Sequence, residues 1–288
     1  MRPVVYGHPG REILRQKGPE AVLRSRTVLH GLLAEVLVGL ALPPHPEAVV
    51  LHGVTLWWGR RRVEIDHLVL DPQAGVVILE VKGWAGLVTG GPDGWAGLLA
   101  SGQAVWRPAV DRALALRREA VRRLAPWMFG EEIPPERIHA LVVWGGAAPL
   151  GDEAPPGVVA AVPPLDVVAA GAWSPAAWWR QARRRLGAVW PVVAGQTFRG
   201  APALLARRAA RRLGLSPVTA PETHPGLPAL WTAAQSLSDL PPGTRAAVAM
   251  LLALDRFFPP VRVGDEPPFA EEALLEVQAR LLDAEGDP

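Results

Sequence analysis

The clearest patterning of apolar and polar positions lies between residues 28 and 82. Leu29, Leu32, Leu33, Val36, Leu37 and Leu40 recur at helical spacing and predict a helix over 28–41. Pro43, Pro44 and Pro46 end it. Three segments rich in Val, Leu and Ile follow, at 48–57, 63–70 and 76–82, and each reads as a strand. Residues 59–62 form one turn. Asp71-Pro72-Gln73-Ala74-Gly75 forms the next, with Pro and Gly supplying the turn chemistry. Short strands are expected at 87–89 and 105–107, and an Arg-rich amphipathic helix at 109–127 after Pro108. A buried strand is expected at 138–144, a further short one at 158–162, and a helix at 176–186 carrying Trp178 and Trp179. Helix, three strands, helix, strand is an α/β order, with a mixed central sheet flanked by helices.

The flanks differ in texture. Residues 1–27 are polar and broken by Pro3, Pro9, Gly10, Gly18 and Pro19, so they read as an N-terminal arm or short helix. Residues 28–195 make the main α/β domain. From residue 196 no strand is evident, and helices are expected at 201–213, 227–237, 244–257 and 269–284. Residues 196–288 therefore read as a small helical C-terminal region. Residues 264–288 hold eight acidic side chains and only Arg280 as a base. The last helix reads as a cap on the fold, with mimicry of a nucleic-acid strand or docking of a protein partner as the alternatives.

Composition narrows the function classes. With 288 residues, 49% of them hydrophobic, the chain has ample material for a buried core. No apolar run reaches the roughly 18 residues of a membrane span, and the N-terminus lacks the order of a signal peptide, so a cytoplasmic protein is expected. The absence of cysteine excludes disulfides and thiolate metal sites. Any metal must be held by oxygen or histidine. No G-x-x-x-x-G-K-[ST] loop occurs to support NTP hydrolysis, and no G-x-S-x-G to support a serine hydrolase. Residues 1–195 hold 21 Lys and Arg against 17 Asp and Glu, a mild excess that permits nucleic-acid binding. Of the 30 basic residues 28 are arginine, and asparagine is absent. This fits a GC-rich genome and is compatible with a thermophile. Against that bias a retained lysine needs a reason, because its pKa can be moved by neighbours and that of arginine cannot. The two lysines are Lys17, in the polar arm, and Lys82, two residues after Glu80 at the end of an apolar strand.

The hairpin 63–70 and 76–82 carries the candidate chemistry. If the loop 71–75 closes symmetrically, Leu70 faces Val76, Asp66 faces Glu80 and Glu64 faces Lys82. Strict alternation then puts residues 64, 66, 80 and 82 on one face and His67 on the other. Two carboxylates at cross-strand distance repel unless a cation lies between them. Oxygen ligands with open water positions suit Mg²⁺ or Mn²⁺. A neighbouring lysine can orient a metal-bound water. A lone Asp or a lone E-x-K on a strand is more commonly a solvated charge, so the coincidence of hairpin, pairing and rare lysine carries the reading.

These residues also resemble a known family. Glu64-Ile65-Asp66-His67-Leu68-Val69-Leu70, followed by Gly75-Val76-Val77-Ile78-Leu79-Glu80-Val81-Lys82-Gly83-Trp84-Ala85-Gly86, is similar to the NERD (nuclease-related domain) pattern. That pattern runs I-D-H-L-V, a turn with Gly, an apolar strand ending E-x-K, then a small residue, W, x, G. Val50-Leu51-His52-Gly53-Val54 resembles the preceding strand, and Trp95 the next tryptophan. The resemblance covers roughly residues 30–145. It implies a PD-(D/E)XK-type core, Mg²⁺ (or Mn²⁺) and cleavage of DNA. It maps Asp66, Glu80 and Lys82 onto the family triad. Glu35 matches the acid of the first helix, although Ala34 stands where Gly is usual. Arg107-Pro108-Ala109-Val110-Asp111 falls where the family has N-P-x-x-Q, with Arg107 and Asp111 departing at both polar positions.

Taken together, Asp66 and Glu80 are expected to bind the metal, with Glu35 nearby and the carbonyl of Val81 contributing. Lys82 would position the attacking water. His67 is expected to be a hydrogen-bonded structural histidine, and Glu64 either an accessory group or a partner of Lys82. Arg60, Arg61 and Arg62 on a turn, and Arg112 and Arg118 on the helix that also carries Arg117, Arg122 and Arg123, are candidate DNA contacts. The competing reading is a catalytically inactive DNA-binding or scaffold subunit that keeps the nuclease fold.

Overall fold

The computed structural model describes residues 5–42, 45–82, 87–91, 94–98, 104–107, 109–144, 173–195, 198–218, 224–241, 243–259 and 266–283. The strand expected at 158–162 lies outside the described residues.

A six-stranded sheet forms the centre. Its strands are β1 (Val5–Tyr6), β2 (Val49–Trp58), β3 (Arg61–Asp71), β4 (Gly75–Lys82), β8 (Ile138–Trp144) and β9 (Pro217–Val218), in the order β8-β4-β3-β2-β1-β9. The pairs β2/β3 and β3/β4 are antiparallel hairpins. The β4/β8 pair is parallel, and the crossover between them carries helix α4 (Ala109–Phe129). A separate antiparallel sheet of β5 (Leu87–Gly91), β6 (Gly94–Leu98) and β7 (Ala104–Arg107) is inserted before α4.

Of the residues expected as an arm or short helix, 5–27 pack against the rest of the fold. They contain β1, α1 (Arg11–Lys17) and α2 (Pro19–Arg24). β1 lies between β2 and β9, parallel to the first and antiparallel to the second. The C-terminal region thus contributes a strand, β9, where its sequence suggested helices alone. Its helices are α6 (Pro202–Leu213), α7 (Leu227–Ser236), α8 (Thr244–Asp255) and α9 (Glu271–Asp283).

Each face of the sheet buries its own apolar cluster. On one face Val50, Val69, Val77, Leu79 and Val81 pack with α3 (Arg26–Ala41), α5 (Pro175–Val189), α7 and α8. On the other, Leu51, Leu68, Leu70, Val76 and Ile78 pack with α4 and α6. Ser25 starts α3 by accepting the Val28 N–H. That helix is fixed over the sheet partly by Trp179, whose Nε1–H donates to Leu40 O at 3.0 Å. Asp71 builds the β3–β4 turn: its Oδ1 accepts the N–H groups of Gln73 and Ala74 at 2.7 and 3.0 Å, and its Oδ2 accepts Trp190 Nε1–H at 3.1 Å.

Candidate functional site

The β3–β4 register follows the symmetric closure of the loop. Leu70 faces Val76, and the ladder runs through Val69↔Val77 and Leu68↔Ile78 to His67↔Leu79, where it stops. Beyond that point the strands part. Asp66 Oδ2 there accepts the Val81 N–H at 2.7 Å, so a side chain replaces a ladder bond.

The expectation of one shared face is corrected by the packing. Val63, Ile65, Leu68 and Leu70 all belong to the α4-side cluster. Alternation therefore slips between residues 65 and 68, and Asp66 and His67 both leave β3 on the α3 side. The partner strand slips with it. Leu51 and Val54 both face α4, and Gly53 between them sits at φ 60°, which a residue without Cβ adopts readily. β4 keeps its alternation: Val77, Leu79 and Val81 face α3, so Glu80 and Lys82 face α4. The acids meet because the strands fork, not because the sheet is regular. One cavity of about 340 Å³ opens at the fork and is lined by Glu35, Asp66, Glu80, Val81 and Lys82, with Arg117 and Lys17.

Charge within this cavity is tightly held. Glu80 is 3% exposed. Its Oε1 pairs with Lys82 Nζ, and its Oε2 lies 2.8 Å from Arg117 Nη2. The Arg117 contact has the distance of an ion pair but not the angle of a hydrogen bond, and Oε2 has no hydrogen-bond partner. Arg117 Nε donates to Glu64 O at 2.7 Å, which spans the fork from α4 to β3. Burial, then the Glu80 carboxylate, push Asp66 up to about 7, against the pull of Lys82, the Val81 N–H and Arg117. Glu35 reaches the cavity from α3. Its Oε2 accepts the Gly10 N–H at 2.9 Å, and burial followed by Asp66 raises it well above the ordinary carboxylate range.

The donor chemistry suits a hard cation: carboxylate oxygens line the cavity, and Asp66 and Glu80 favour any positive charge between them. The buried, hydrogen-bond-free Oε2 of Glu80 is the specific point of fit. Among the described residues no group of three or more His, Asp and Glu is gathered tightly enough to hold an ion by itself. The Glu80 side chain is held instead by Lys82 and Arg117.

Of the remaining expected residues, Glu64 lines the cavity but bonds Gln16 Nε2 at 2.8 Å and Arg62 at 2.9 Å rather than Lys82. His67 shares a hydrogen bond with His52, Nδ1 to Nδ1 at 2.6 Å, and both are buried. It is a structural histidine, on the same side as Asp66 rather than the opposite one. Arg60, Arg61 and Arg62 are exposed at the β2–β3 tip. Arg112 is exposed near the start of α4. Arg118 does not reach the cavity; its Nε donates to Ile138 O at 3.0 Å. The side chains of Arg107 and Asp111 lie outside the described residues.

Arg117 and the Gly10 N–H were not assigned to the acids from sequence. Arg117 looks like any other member of an arginine run until α4 is docked. A signal did exist for Lys17. The chain has two lysines, and both line this cavity.

A mixed sheet flanked by helices, with acids gathered where two strands part, is an α/β fold of the nuclease kind. Within that class, residues 30–145 match the family model of the nuclease-related domain (NERD), a domain of the PD-(D/E)XK-like nuclease superfamily. No curated protein and no solved structure matches the chain. No helix among the described residues is long and apolar enough to cross a membrane.

Proposed function

We propose that this chain is a divalent-metal-dependent deoxyribonuclease acting at the fork between β3 and β4. The observation that carries the reading is the meeting of Asp66, Glu80 and Lys82, from two strands of a nuclease-related domain, in one cavity with Glu35. Asp66 and Glu80 would hold Mg²⁺ or Mn²⁺, with the Val81 carbonyl as a further oxygen and Glu35 beside them. A bound cation would supply Lewis acidity toward a phosphodiester and lower the pKa of water. Lys82, on the same side of β4 as Glu80, would orient the attacking water. The raised pKa of Asp66 supports this reading, because proximity to Glu80 and poor solvation are the conditions that a cation relieves. Arg117 would steady Glu80 and face a scissile phosphate.

The second reading is an inactive DNA-binding or scaffold subunit. The pairing of Glu80 with Lys82 and Arg117, which can stand in for a cation, favours it. Incubation of the purified chain with linear, nicked and single-stranded DNA, with and without Mg²⁺ or Mn²⁺, separates the two. Metal-dependent cutting that is lost in Asp66→Asn and Lys82→Ala is expected. Cutting that persists in the double variant would overturn the assignment, and binding without cutting under either metal would favour the scaffold.

A further inference from the structure

The β2–β3 hairpin ends in a two-residue loop, Gly59-Arg60, with Trp58 facing Arg61 and Trp57 facing Arg62 across the strands. Trp57 is 65% exposed. Its neighbours Leu56 and Val63 are buried on the α4 side, and Trp58 packs against the same cluster. Trp57 and Arg62 therefore project on the opposite side, the side from which Asp66 enters the cavity. Arg62 is fixed in place: its Nη2 lies 2.8 Å from Glu12 Oε2 and 2.9 Å from Glu64 Oε1, and both carboxylates line the cavity. From Asp66 to Arg62 is four residues of extended chain, about 13 Å at the rise of a strand. The indole and the proposed cutting site thus lie on one surface, about four nucleotides apart at the ~3.4 Å spacing of a stacked strand.

We propose that this hairpin tip holds an unpaired DNA strand, with Trp57 stacked on a base a few nucleotides from the phosphate that is cut. The inference rests on the nuclease reading of the cavity and specifies the substrate class. An indole face open to solvent gains most from another flat π surface. In a duplex the faces of interior bases are covered by their neighbours, whereas a single strand or a frayed end offers them. Stacking is indifferent to sequence because every base has such a face. Arg60 and Arg61, exposed at the same hairpin tip, supply positive charge for the accompanying phosphates as the strand passes over it. Glu12 and Glu64, between the tip and Asp66, disfavour a phosphate run pressed onto β3. They favour a strand whose bases face the protein and whose backbone turns toward the arginines.

The test is binding of the full chain, in chelator and without metal, to a fluorescent single-stranded oligonucleotide and to the same sequence as a blunt duplex. Wild type should bind the single strand more tightly. Trp57→Ala should weaken single-strand binding about tenfold and leave duplex binding unchanged, while Trp57→Phe keeps most of the affinity. Single-strand affinity unchanged in Trp57→Ala, an equal loss on both substrates, preferential duplex binding by wild type, or binding to neither would each overturn the proposal. The nuclease reading has its own readout. Metal-dependent cutting with no effect of Trp57→Ala removes this inference alone, and Trp57-dependent binding without cutting removes that reading alone.

Discussion

Arg117 Nη2 stands 2.8 Å from Glu80 Oε2, which ties the middle of α4 to the end of β4 across the fork. Both partners are largely buried, so removing Arg117 leaves Lys82 to balance Glu80 in a poorly solvated place, and removing Glu80 leaves the guanidinium without its carboxylate. Arg117→Met should destabilise the fold by about 3 kcal/mol in urea unfolding. Glu80→Gln with Arg117→Met should lose less than the two single changes predict together, by at least about 1 kcal/mol. Additive losses would show that the contact contributes nothing.

Lys82 is half of the chain's lysine complement, and its ammonium meets Glu80 Oε1. Lys82→Ala should lower the rate of metal-dependent cleavage by roughly 10²–10⁴, the range for a positioned proton-handling group. Lys82→Arg should recover little of it, since guanidinium keeps its proton and its planar fork does not occupy the place of a compact ammonium. Full activity in Lys82→Arg would reduce the role of Lys82 to that of a fixed charge.

Asp255, at the end of α8, is 5% exposed and accepts the His224 N–H at 2.7 Å. Burial lifts it from 3.8 to about 6, against the effect of that N–H. A carboxyl raised on folding contributes stability that is complete below pH 3.8 and is lost as the pH climbs through about 6. The shift corresponds to about 3 kcal/mol. Asp255→Asn keeps the acceptor oxygen without the charge. It should therefore be more stable than wild type near pH 8 and close to it near pH 4. A stability difference that does not change with pH would contradict the assignment.

Reading strands from sequence worked where a local rule applied. β2, β3, β4 and β8 show runs of Val, Leu and Ile, and the turn at Asp71–Gly75 set the register of β3 against β4 as far as His67 and Leu79. Strict alternation then failed at one place, between residues 65 and 68, because nothing in the apolar pattern marks a slip that both paired strands share. The two-residue strands β1 and β9 have no period to detect and exist only because distant chain segments hold them. β6 was hidden by its glycines. Glu35 was legible as an acid on the apolar side of a helix. Its partner, the Gly10 N–H, belongs to a stretch whose Pro and Gly content gives no periodic pattern to place it. Arg117 became distinct from its neighbours only through the docking of α4, which depends on shape across the whole sheet.

The His52–His67 pair behaves oppositely to Asp255. Burial pushes His67 down to about 3, and burial followed by His67 lowers His52 well below 6.5. Imidazoles held neutral contribute stability that is complete above about pH 6.5 and is lost as the pH falls toward 3. Unfolding free energy of wild type should therefore drop between about pH 6.5 and 4, with proton uptake on unfolding. His67→Gln should flatten that slope by about one proton. A variant slope equal to that of wild type would show that the pair does not titrate on unfolding.

The placement of β1 between β2 and β9 also bears on biosynthesis. A chain emerging residue by residue can seat Val5 and Tyr6 against Val50 and Leu51 early, but the other edge of that strand waits for Pro217 and Val218. Through most of translation β1 is the outer strand of the nascent sheet, an open edge of the kind that chaperones cover and that aggregation exploits, and the finished fold moves that edge to β9. Cell-free synthesis arrested before residue 217 should yield chains that cling to strand-binding chaperones, and release should follow once the last strand is made.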